Sequence, residues 1–184
     1  MDLSKGNKKF LIEELSPEWE ISFDITLLDR TSQWRNVFVF TEGYPELFTG
    51  EAAAVNVELY RLPGVWFIDQ KMLIQFIDKI RGTNQKYEME VSIGIEFSWV
   101  IRQSLFESVN GTEFRLQIDF EGVTVFDEAS DFGHVYNDVI GYFSSSYYFD
   151  VANVNLKDFQ HSATLQPYTR LGNLISIIIF VLFS

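Results

Sequence analysis

Residues 18–43 read EWEISFDITLLDRTSQWRNVFVFTEG, and the spacing of their apolar side chains decides the predicted fold. The apolar residues of the first half are two apart: Trp19, Ile21, Phe23, Ile25 and Leu27. A period of two is typical of a half-buried antiparallel strand. A polar connection over 29–33 then leads into a second strand-like run, Trp34–Thr41, which ends at the turn Glu42-Gly43. The stretch therefore predicts two strands joined by a loop.

The rest of the chain repeats this pattern. About ten strand candidates are separated by turns every 8–12 residues or so, and no long amphipathic helix is evident, which is typical of an all-β sandwich. Residues 10–15 fit a strand or a short helical turn equally well. The other predicted strands are 52–60, 65–68, 71–77, 87–91, 95–105, 114–120, 123–126, 139–144 and 151–159. Turns or loops are predicted at 44–51, at Arg61–Gly64 and over Asp127–Asp138.

Composition excludes several classes of site. The 184 residues carry a net charge of −12, with 14 Lys+Arg against 26 Asp+Glu, so a nucleic-acid partner is excluded because phosphate neutralisation needs a basic surface. The absence of cysteine excludes disulfides, thiolate metal sites and a cysteine nucleophile. Two histidines are too few for a multi-histidine metal site. We predict one domain over 10–161, preceded by a flexible lead over 1–9 and followed by a tail over 162–184.

Four segments together resemble the concanavalin A-like lectin/glucanase superfamily, with a laminin-G-like character. They are WEISFDI (19–25) with WRNVFVFTEG (34–43) as its partner, RLPGVWF (61–67), FRLQIDFEGVTVF (114–126) and the closing VIGYFSSSYYFDVANVNLKDF (139–159). The resemblance covers roughly residues 10–160. It implies a two-sheet antiparallel jelly-roll sandwich that binds carbohydrate or protein on a sheet face or a loop rim. Function must still come from the site, because this fold hosts lectins, adhesive modules and glucanases.

The glucanases of that superfamily place paired carboxylates on one strand, as Glu-x-Asp-x-x-Glu. Two carboxyls about 5 Å apart then act as nucleophile and general acid. This chain offers two pairs, Glu88 with Glu90 and Asp119 with Glu121. The first pair is predicted to face solvent. In the second pair Gln117 stands where the first Glu belongs, and Glu121 lies in a predicted turn. The broken pattern favours a non-enzymatic protein.

Calcium is the one metal that the sequence suggests. Laminin-G-like and legume-type relatives hold calcium with Asp, Asn and backbone oxygens on rim loops, and such hard oxygen ligands suit this cation. The candidate ligands share one predicted loop: Asp127, Asp131, Asn137 and Asp138. The alternative is an acidic loop that only contributes solubility.

Sugar binding requires exposed aromatic faces beside hydrogen-bonding groups. The sequence offers two such groupings. One lies near the start of the fold (Trp34, Arg35, Asn36) and the other near its end (Tyr142, Tyr147, Tyr148, Asn153, Asn155). The remaining tryptophans are predicted to lie in the core: Trp19, Trp66 and Trp99.

Two processing signals suggest a cell-surface protein. Asn110-Gly111-Thr112 is a glycosylation sequon in a predicted hairpin loop. The small residues that begin at Ser162, a polar spacer over 165–173 and the apolar run 174–184 follow the order of a glycosylphosphatidylinositol anchor signal. Against this, the sequence MDLSKGNKKF at the N-terminus lacks the apolar core of a signal peptide. The alternatives are a truncated membrane segment, shorter than the roughly 20 residues needed to span a bilayer, or a hydrophobic last strand.

The sequence thus predicts a non-enzymatic, extracellular lectin-like module whose partner is a glycan or glycoprotein, with calcium as the only suggested cofactor. One alternative is a β-glucanase-like hydrolase. Another is a structural domain of a surface assembly that binds protein.

Overall fold

The structure is a computed structural model that describes residues 8–42, 60–109, 111–143, 150–162 and 166–167. All regular secondary structure in these ranges is β-strand, and they contain no helix that could span a membrane. The strands are β1 Lys8–Leu15, β2 Trp19–Leu27, β3 Thr31–Glu42, β4 Tyr60–Asp69, β5 Lys71–Asp78, β6 Thr83–Glu90, β7 Glu96–Ser108, β8 Gly111–Phe120, β9 Val123–Ala129, β10 Tyr136–Phe143, β11 Asp150–Val151, β12 Val154–His161 and β13 Gln166–Pro167.

The strands form two sheets that pack face to face as a sandwich. The large sheet has eight strands in the order β13-β1-β10-β3-β4-β5-β6, with the two-residue β11 also paired to β3. The small sheet has five strands in the order β12-β2-β7-β8-β9. Every pairing is antiparallel except that of β11 with β3, which is parallel. The prediction of an all-β, two-sheet sandwich is confirmed.

The opening segment, β2 and β3, pairs with the closing segment, β10 and β12, in both sheets. In the small sheet, Leu27 of β2 is opposite Val154 of β12. In the large sheet, Glu42 of β3 is opposite Val139 of β10. The predicted pairing of the opening and closing segments is therefore correct. The prediction that β2 and β3 are each other's partners is wrong, because the loop between them carries the chain from one sheet to the other.

The core lies between the sheets and is dominated by aromatic rings. The burial of β2 alternates as the sequence predicts, with its apolar residues inside. From there a series of aromatic ring contacts crosses the sandwich. The ring centroids of Phe23 and Phe38 are 5.2 Å apart. Those of Phe38 and Phe159 are 5.3 Å apart, and those of Phe159 and Phe143 are 4.6 Å apart. Edge-to-face contacts of this kind add about 0.5–1.5 kcal/mol to the burial of the rings. Of the three tryptophans predicted to lie in the core, Trp19 and Trp99 belong to it, whereas Trp66 is buried, at 2% exposed, in a separate cluster.

Two local predictions differ from the structure, and the structure decides one alternative that the sequence left open. Residues Arg61–Gly64 are not a turn but part of β4, where the register shifts against β5. Leu62 and Val65 are buried, so core packing holds the Pro-Gly pair inside a bulged strand. Residues 10–15 belong to a strand, and β10 begins at Tyr136, inside the predicted acidic loop. The predicted loop over 44–51 lies outside the described residues, as does the predicted strand 52–60 except for Tyr60.

The described strands also extend past both predicted domain limits. β1 begins at Lys8, inside the predicted lead, and β13 at 166–167 lies in the predicted tail. β13 pairs with β1, with Phe10 opposite Pro167. Part of the predicted spacer is thus hydrogen-bonded to the edge of the large sheet.

Candidate functional site

One face of the large sheet packs on the small sheet, and we call the opposite face the outer face. Part of the outer face is apolar and buried. Its residues form a second hydrophobic cluster, separate from the main core: Val39, Trp66, Leu73, Ile140 and Tyr142, with Leu11 packed against them. These residues come from the strands β1, β10, β3, β4 and β5. This part of the outer face is therefore closed to solvent.

Beside this cluster, the outer face carries an open cavity of about 300 Å³, which we call the sheet cavity. Neighbouring strands bring its residues together through their register. Leu73 is opposite Trp66 on β4 and opposite Glu88 on β6, while Gln75 is opposite Lys86. Residues directly opposite each other on paired strands project from the same face. The complete lining is Trp34, Arg61, Trp66, Leu73, Gln75, Lys86 and Glu88.

The side chains of the sheet cavity hold one another in place. The Arg61 guanidinium lies over the Trp66 ring, 4.6 Å from its centroid, and donates a hydrogen bond to the side-chain oxygen of Gln75. Gln75 in turn donates to Asn84 Oδ1 at 3.2 Å. At the rim, Lys86 Nζ lies 3.4 Å from Glu88 Oε1. The cavity thus contains a guanidinium group stacked on an indole ring, a side-chain amide, an ammonium group and a carboxylate.

Trp34, at the start of β3, provides the exposed aromatic surface of this cavity. It is 37% exposed, whereas Trp66 on the floor is 2% exposed. An exposed indole beside donors and acceptors is the arrangement that binds the apolar face of a sugar while polar groups bind its hydroxyls. The cavity can therefore hold a polyhydroxylated ligand.

The predicted grouping of Trp34, Arg35 and Asn36 is divided by the pleat of β3. Trp34 lines the sheet cavity, but Arg35 lines a different cavity between the start of β3 and the segment around β11, which we call the loop cavity. Asn36 is 1% exposed, and its amide donates to the carbonyls of Phe38 and Val65. Successive side chains of a strand point to opposite faces, so Arg35 and Trp34 lie on different faces of β3, and burial removes Asn36 from either surface. The assignment of Asn36 to ligand binding is corrected, because its amide hydrogens are used inside the fold.

The predicted grouping near the end of the chain is divided as well. Tyr142 is 1% exposed and belongs to the buried cluster of the outer face, which corrects its assignment as a ligand-binding residue. Asn153 is exposed and lines the same loop cavity as Arg35. Tyr147 and Tyr148 lie outside the described residues. Asn155 pairs with Thr26 in the small sheet.

The predicted calcium ligands lie on different elements of the fold. Asp127 lies in β9 of the small sheet, where its carboxylate is 2.7 Å from Arg115 Nε. Burial by itself raises the pKa of Asp127, but the hydrogen bonds from Arg115 and Gln117, together with the nearby Arg115 and Arg102 charges, outweigh it and lower the pKa. Asn137 and Asp138 lie in β10 of the large sheet, and Asp131 lies in the connection between. Within the described ranges, no three Asp, Glu or His side chains are grouped as a metal site requires.

Neither predicted carboxylate pair lines the sheet cavity as a pair. Glu88 and Glu90 are exposed on β6, as predicted, and only Glu88 lines the sheet cavity. Asp119 is held by Arg102 at 2.7 Å and by the hydroxyl of Thr124. Glu121 lies in the β8–β9 turn and accepts a hydrogen bond from the Ser98 amide at 2.6 Å. Neither pair presents two available carboxylates to one cavity.

A buried polar cluster lies where β5 ends and β10 begins. Asp78 has no exposed side-chain surface and accepts hydrogen bonds from Arg81 at 2.6 Å and Tyr136 at 3.1 Å. Burial by itself raises the pKa of Asp78, but the hydrogen bonds from Arg81 and Tyr136 outweigh it and hold the pKa below its usual value. Burial, with Asp78 beside it, raises the pKa of Tyr136. The cluster therefore keeps a charged carboxylate and a neutral phenol in contact.

The two histidines occupy different environments. His134 Nε2 lies 3.8 Å from Asp78, and burial, together with the nearby Arg81 charge, lowers the pKa of His134. His161 on β12 lies 5.4 Å, centroid to centroid, from the Phe40 ring, and burial lowers the pKa of His161 to about 4. Both rings are thus neutral at pH 7 and belong to the folded scaffold.

The processing signals fall at the margins of the described residues. Asn110 lies outside them, although β7 ends at Ser108 and β8 begins at Gly111, as the predicted hairpin loop requires. Ser162 follows β12 and is bound to β2, because its hydroxyl accepts from the Glu20 amide at 2.8 Å and its own amide donates to the Glu20 carbonyl. The apolar run 174–184 lies outside the described residues.

Sequence reasoning did not select Arg61, Gln75 or Lys86. Arg61 lies in the predicted turn Arg61–Gly64, so the sequence pattern does not place it on a sheet face. Gln75 could be recognised from the sequence as a candidate, because it is a polar residue inside the otherwise apolar run MLIQFI. Only strand pairing places Gln75 between Arg61 and Lys86. Patterns along one strand do not show which residues of other strands are its neighbours.

No protein-family model matches the chain, and no curated protein matches it in sequence. Several solved structures are similar in fold, among them the following two. The receptor-binding domain of botulinum neurotoxin type G aligns with a TM-score of 0.50 and 13% identity over 83% of this chain. An alginate lyase, A1-II′, a member of polysaccharide lyase family 7, aligns with a TM-score of 0.50 and 10% identity, also over 83% of this chain. The chain spans 39% and 65% of the lengths of these two proteins.

At these identities the likeness concerns the fold alone. Both similarities extend over 83% of this chain. The chain is a two-sheet β-sandwich of the kind also found in a toxin receptor-binding domain and a polysaccharide lyase.

Proposed function

We propose that this chain is a carbohydrate-recognition module of the concanavalin A-like superfamily and that it binds glycan or glycoprotein ligands in the sheet cavity. The observation that carries the proposal is the position of Trp34, 37% exposed at the edge of a 300 Å³ cavity that also contains Arg61, Gln75, Lys86 and Glu88. In this arrangement the indole packs against the C–H face of a sugar ring, and the polar groups bind its hydroxyls.

The contacts among the polar groups support this proposal. Arg61 is fixed by the ring of Trp66 and by Gln75, so its guanidinium is ordered before a ligand arrives. Groups that are already ordered lose little conformational entropy on binding. Two further parts of the proposal are a location at the cell surface and a C-terminal lipid anchor near Ser162. They depend on the sequence patterns described above.

Cleavage of a polysaccharide is the second candidate function. It is favoured by the presence of Glu88 in the sheet cavity and by the fold shared with a polysaccharide lyase. A retaining glycosidase needs two carboxyls about 5 Å apart, and Glu88 is the only carboxylate among the described residues that line the cavity. We therefore place recognition before hydrolysis.

A glycan array, probed with the full chain in the presence and absence of calcium, tests recognition and identifies a ligand. Titration of that ligand against Trp34→Ala then tests the site. We expect the affinity to fall about tenfold, since loss of one stacked aromatic ring costs roughly 1–1.5 kcal/mol. Phe106→Ala is the matched control, because Phe106 is 48% exposed on β7 of the other sheet.

Two outcomes would count against this function. An array without signal in either condition would favour a protein-binding structural domain. Equal affinity of Trp34→Ala and the native chain would move the binding site away from the sheet cavity. Cleaved products in the same incubation, lost in Glu88→Gln, would support the enzymatic alternative instead.

A further inference from the structure

Among the four edge strands of the described sandwich, β6 is the long and regular one. The large sheet ends at β13 and β6, and the small sheet ends at β12 and β9. β13 has only two residues, and the register shifts where β12 pairs with β2 and where β9 pairs with β8. Proteins use short strands and bulges of this kind to protect sheet edges from other chains. β6 has eight residues, and its pairing with β5 shows no shift.

The edge of β6 therefore keeps the geometry that another strand requires. No other described strand pairs with β6, so the amides and carbonyls that do not bond to β5 point away from the sheet. The inner face of β6 is fixed by β9 of the small sheet. Gln85 Nε2 donates to the Ala129 carbonyl at 2.7 Å, and the ring of Tyr87 lies 5.8 Å, centroid to centroid, from that of Phe126. The outer face of β6 is thereby fixed as well.

The outer face of β6 carries polar and charged side chains in a regular order. The exposed residues are Asn84, Lys86, Glu88 and Glu90, and the residues between them are half-buried. Lys86 Nζ lies 3.4 Å from Glu88 Oε1, yet the two side chains remain 63% and 41% exposed. Both charges are therefore accessible to a partner.

This order of charges is complementary to itself in an antiparallel pairing. If a two-fold axis passes between the Tyr87 residues of two copies, Lys86 of each copy lies opposite Glu88 of the partner subunit. An axis at Lys86 or at Glu88 would instead place like charges opposite each other, which destabilises a sheet. A shift by half a residue would place outer-face side chains opposite inner-face ones.

We propose that the chain forms a symmetric dimer in which β6 pairs antiparallel with β6 of a second copy, with Lys86 opposite Glu88 of the partner subunit. The four charges then alternate in sign, because each Lys86 lies between the Glu88 of its own strand and that of the partner subunit. This dimer goes beyond the proposed recognition function and does not require a ligand.

The dimer would also enlarge the candidate glycan site. Lys86 and Glu88 line the sheet cavity, so the same two residues of the partner subunit extend its rim. Residues that are opposite each other on paired strands project from one face, so both sheet cavities open on the same side. The two β5 strands are three strand spacings apart, roughly 14 Å. This consequence rests on the function proposed for the sheet cavity.

Sedimentation equilibrium of the full chain, without any glycan, tests the dimer over a wide range of protein concentrations. We expect a reversible monomer–dimer equilibrium, with slower hydrogen exchange of the β6 amides as the dimer fraction rises. Lys86→Glu should raise the dissociation constant of the dimer at least about fivefold, because it places like charges opposite each other at two symmetric positions. The double variant that combines Lys86→Glu with Glu88→Lys restores opposite charges and should dimerise as the native chain does.

Lys157→Glu is the matched control, since it makes the same change of charge on β12, an edge strand of the small sheet. It should leave the dimer unchanged. The proposal is overturned if the native chain is a monomer at every concentration, if Lys157→Glu weakens the dimer as much as Lys86→Glu does, or if the double variant does not recover it. Failure of the sheet-cavity proposal would appear separately, as a glycan affinity that does not depend on Trp34.

Discussion

The phenolic hydroxyl of Tyr136 donates a hydrogen bond of 3.1 Å to the carboxylate of Asp78, and both side chains are buried. The pair joins the end of β5 to the start of β10, two strands of the large sheet that are not neighbours. Because Arg81 also binds Asp78, the carboxylate stays charged inside the protein. The contact therefore links distant parts of the sheet through one acceptor.

Asp78→Asn should lower the free energy of unfolding by roughly 1.5–3 kcal/mol at pH 7, the usual contribution of a hydrogen bond to a charged group. Tyr136→Phe should cost about 1 kcal/mol, because Asp78 keeps Arg81 as a donor. Urea unfolding of the two single variants and the double variant measures the coupling. Additive effects would show that the contact between Asp78 and Tyr136 contributes no stability.

The same carboxylate predicts a pH dependence. The pKa of Asp78 is lower in the folded chain than in the unfolded chain, so the unfolded chain binds more protons as the pH falls. The stabilisation is complete above the unfolded pKa of about 4 and is lost as the pH falls through the lower, folded pKa. The difference in stability between the native chain and Asp78→Asn should thus shrink below pH 4. A constant difference down to pH 2 would contradict this account.

His161 predicts a second pH effect, over a different range. Burial lowers the pKa of His161 from 6.5 to about 4, so the unfolded chain is protonated between these values while the folded chain is not. Stability is complete above pH 6.5 and falls as the pH decreases to about 4. This one group accounts for at most about 1.4 kcal/mol per pH unit.

His161→Phe should remove that contribution, and chemical unfolding from pH 4 to 7 measures it. The replacement keeps an aromatic ring beside Phe40, which the native ring contacts. His134→Gln serves as the control and should retain the steep decline caused by His161. If His161→Phe shows the same decline as the native chain, the histidine is not the cause.

Gly64 lies beneath the indole of Trp66, and a Cβ atom there would come within 1.8 Å of that ring. Gly64→Ala should therefore displace Trp66 on the floor of the sheet cavity and cost roughly 1–3 kcal/mol, as overpacking does. Near-ultraviolet circular dichroism and thermal unfolding should both change. Gly94→Ala, which meets no atom within 4 Å but has φ +76°, should lower stability without altering the tryptophan signal.

Gln103 on β7 forms hydrogen bonds to two connecting segments, the one before β2 and the one before β10. It is 1% exposed, and its amide donates to the carbonyls of Pro17 at 2.6 Å and Phe132 at 3.0 Å. Gln103→Leu should cost about 2–4 kcal/mol, because one buried and one partly buried carbonyl lose their donor. Gln117→Leu, a partly exposed control on the neighbouring strand, should cost less than about 1 kcal/mol. If calorimetry shows that Gln103→Leu and Gln117→Leu lose the same free energy of unfolding, the hydrogen bonds of Gln103 do not stabilise the fold.

The sequence by itself determined the fold class and much of the core. The alternation over Trp19–Leu27 predicts the bounds of β2 and its buried face, because side chains of a strand alternate whatever its partners are. The turn Glu121-Gly122 likewise predicts the β8–β9 hairpin, since both residues have positive φ there. These signals are local, so a single strand or turn contains all the information needed.

Only the tertiary structure decided the composition of the candidate sites. Trp34, Arg35 and Asn36 are adjacent in sequence, yet one lines the sheet cavity, one lines the loop cavity and one is buried. Arg61, Gln75 and Lys86 are distant in sequence but meet on three paired strands. Strand register and the bulges in β3 and β4 set these neighbours, and register depends on long-range packing that no local pattern encodes.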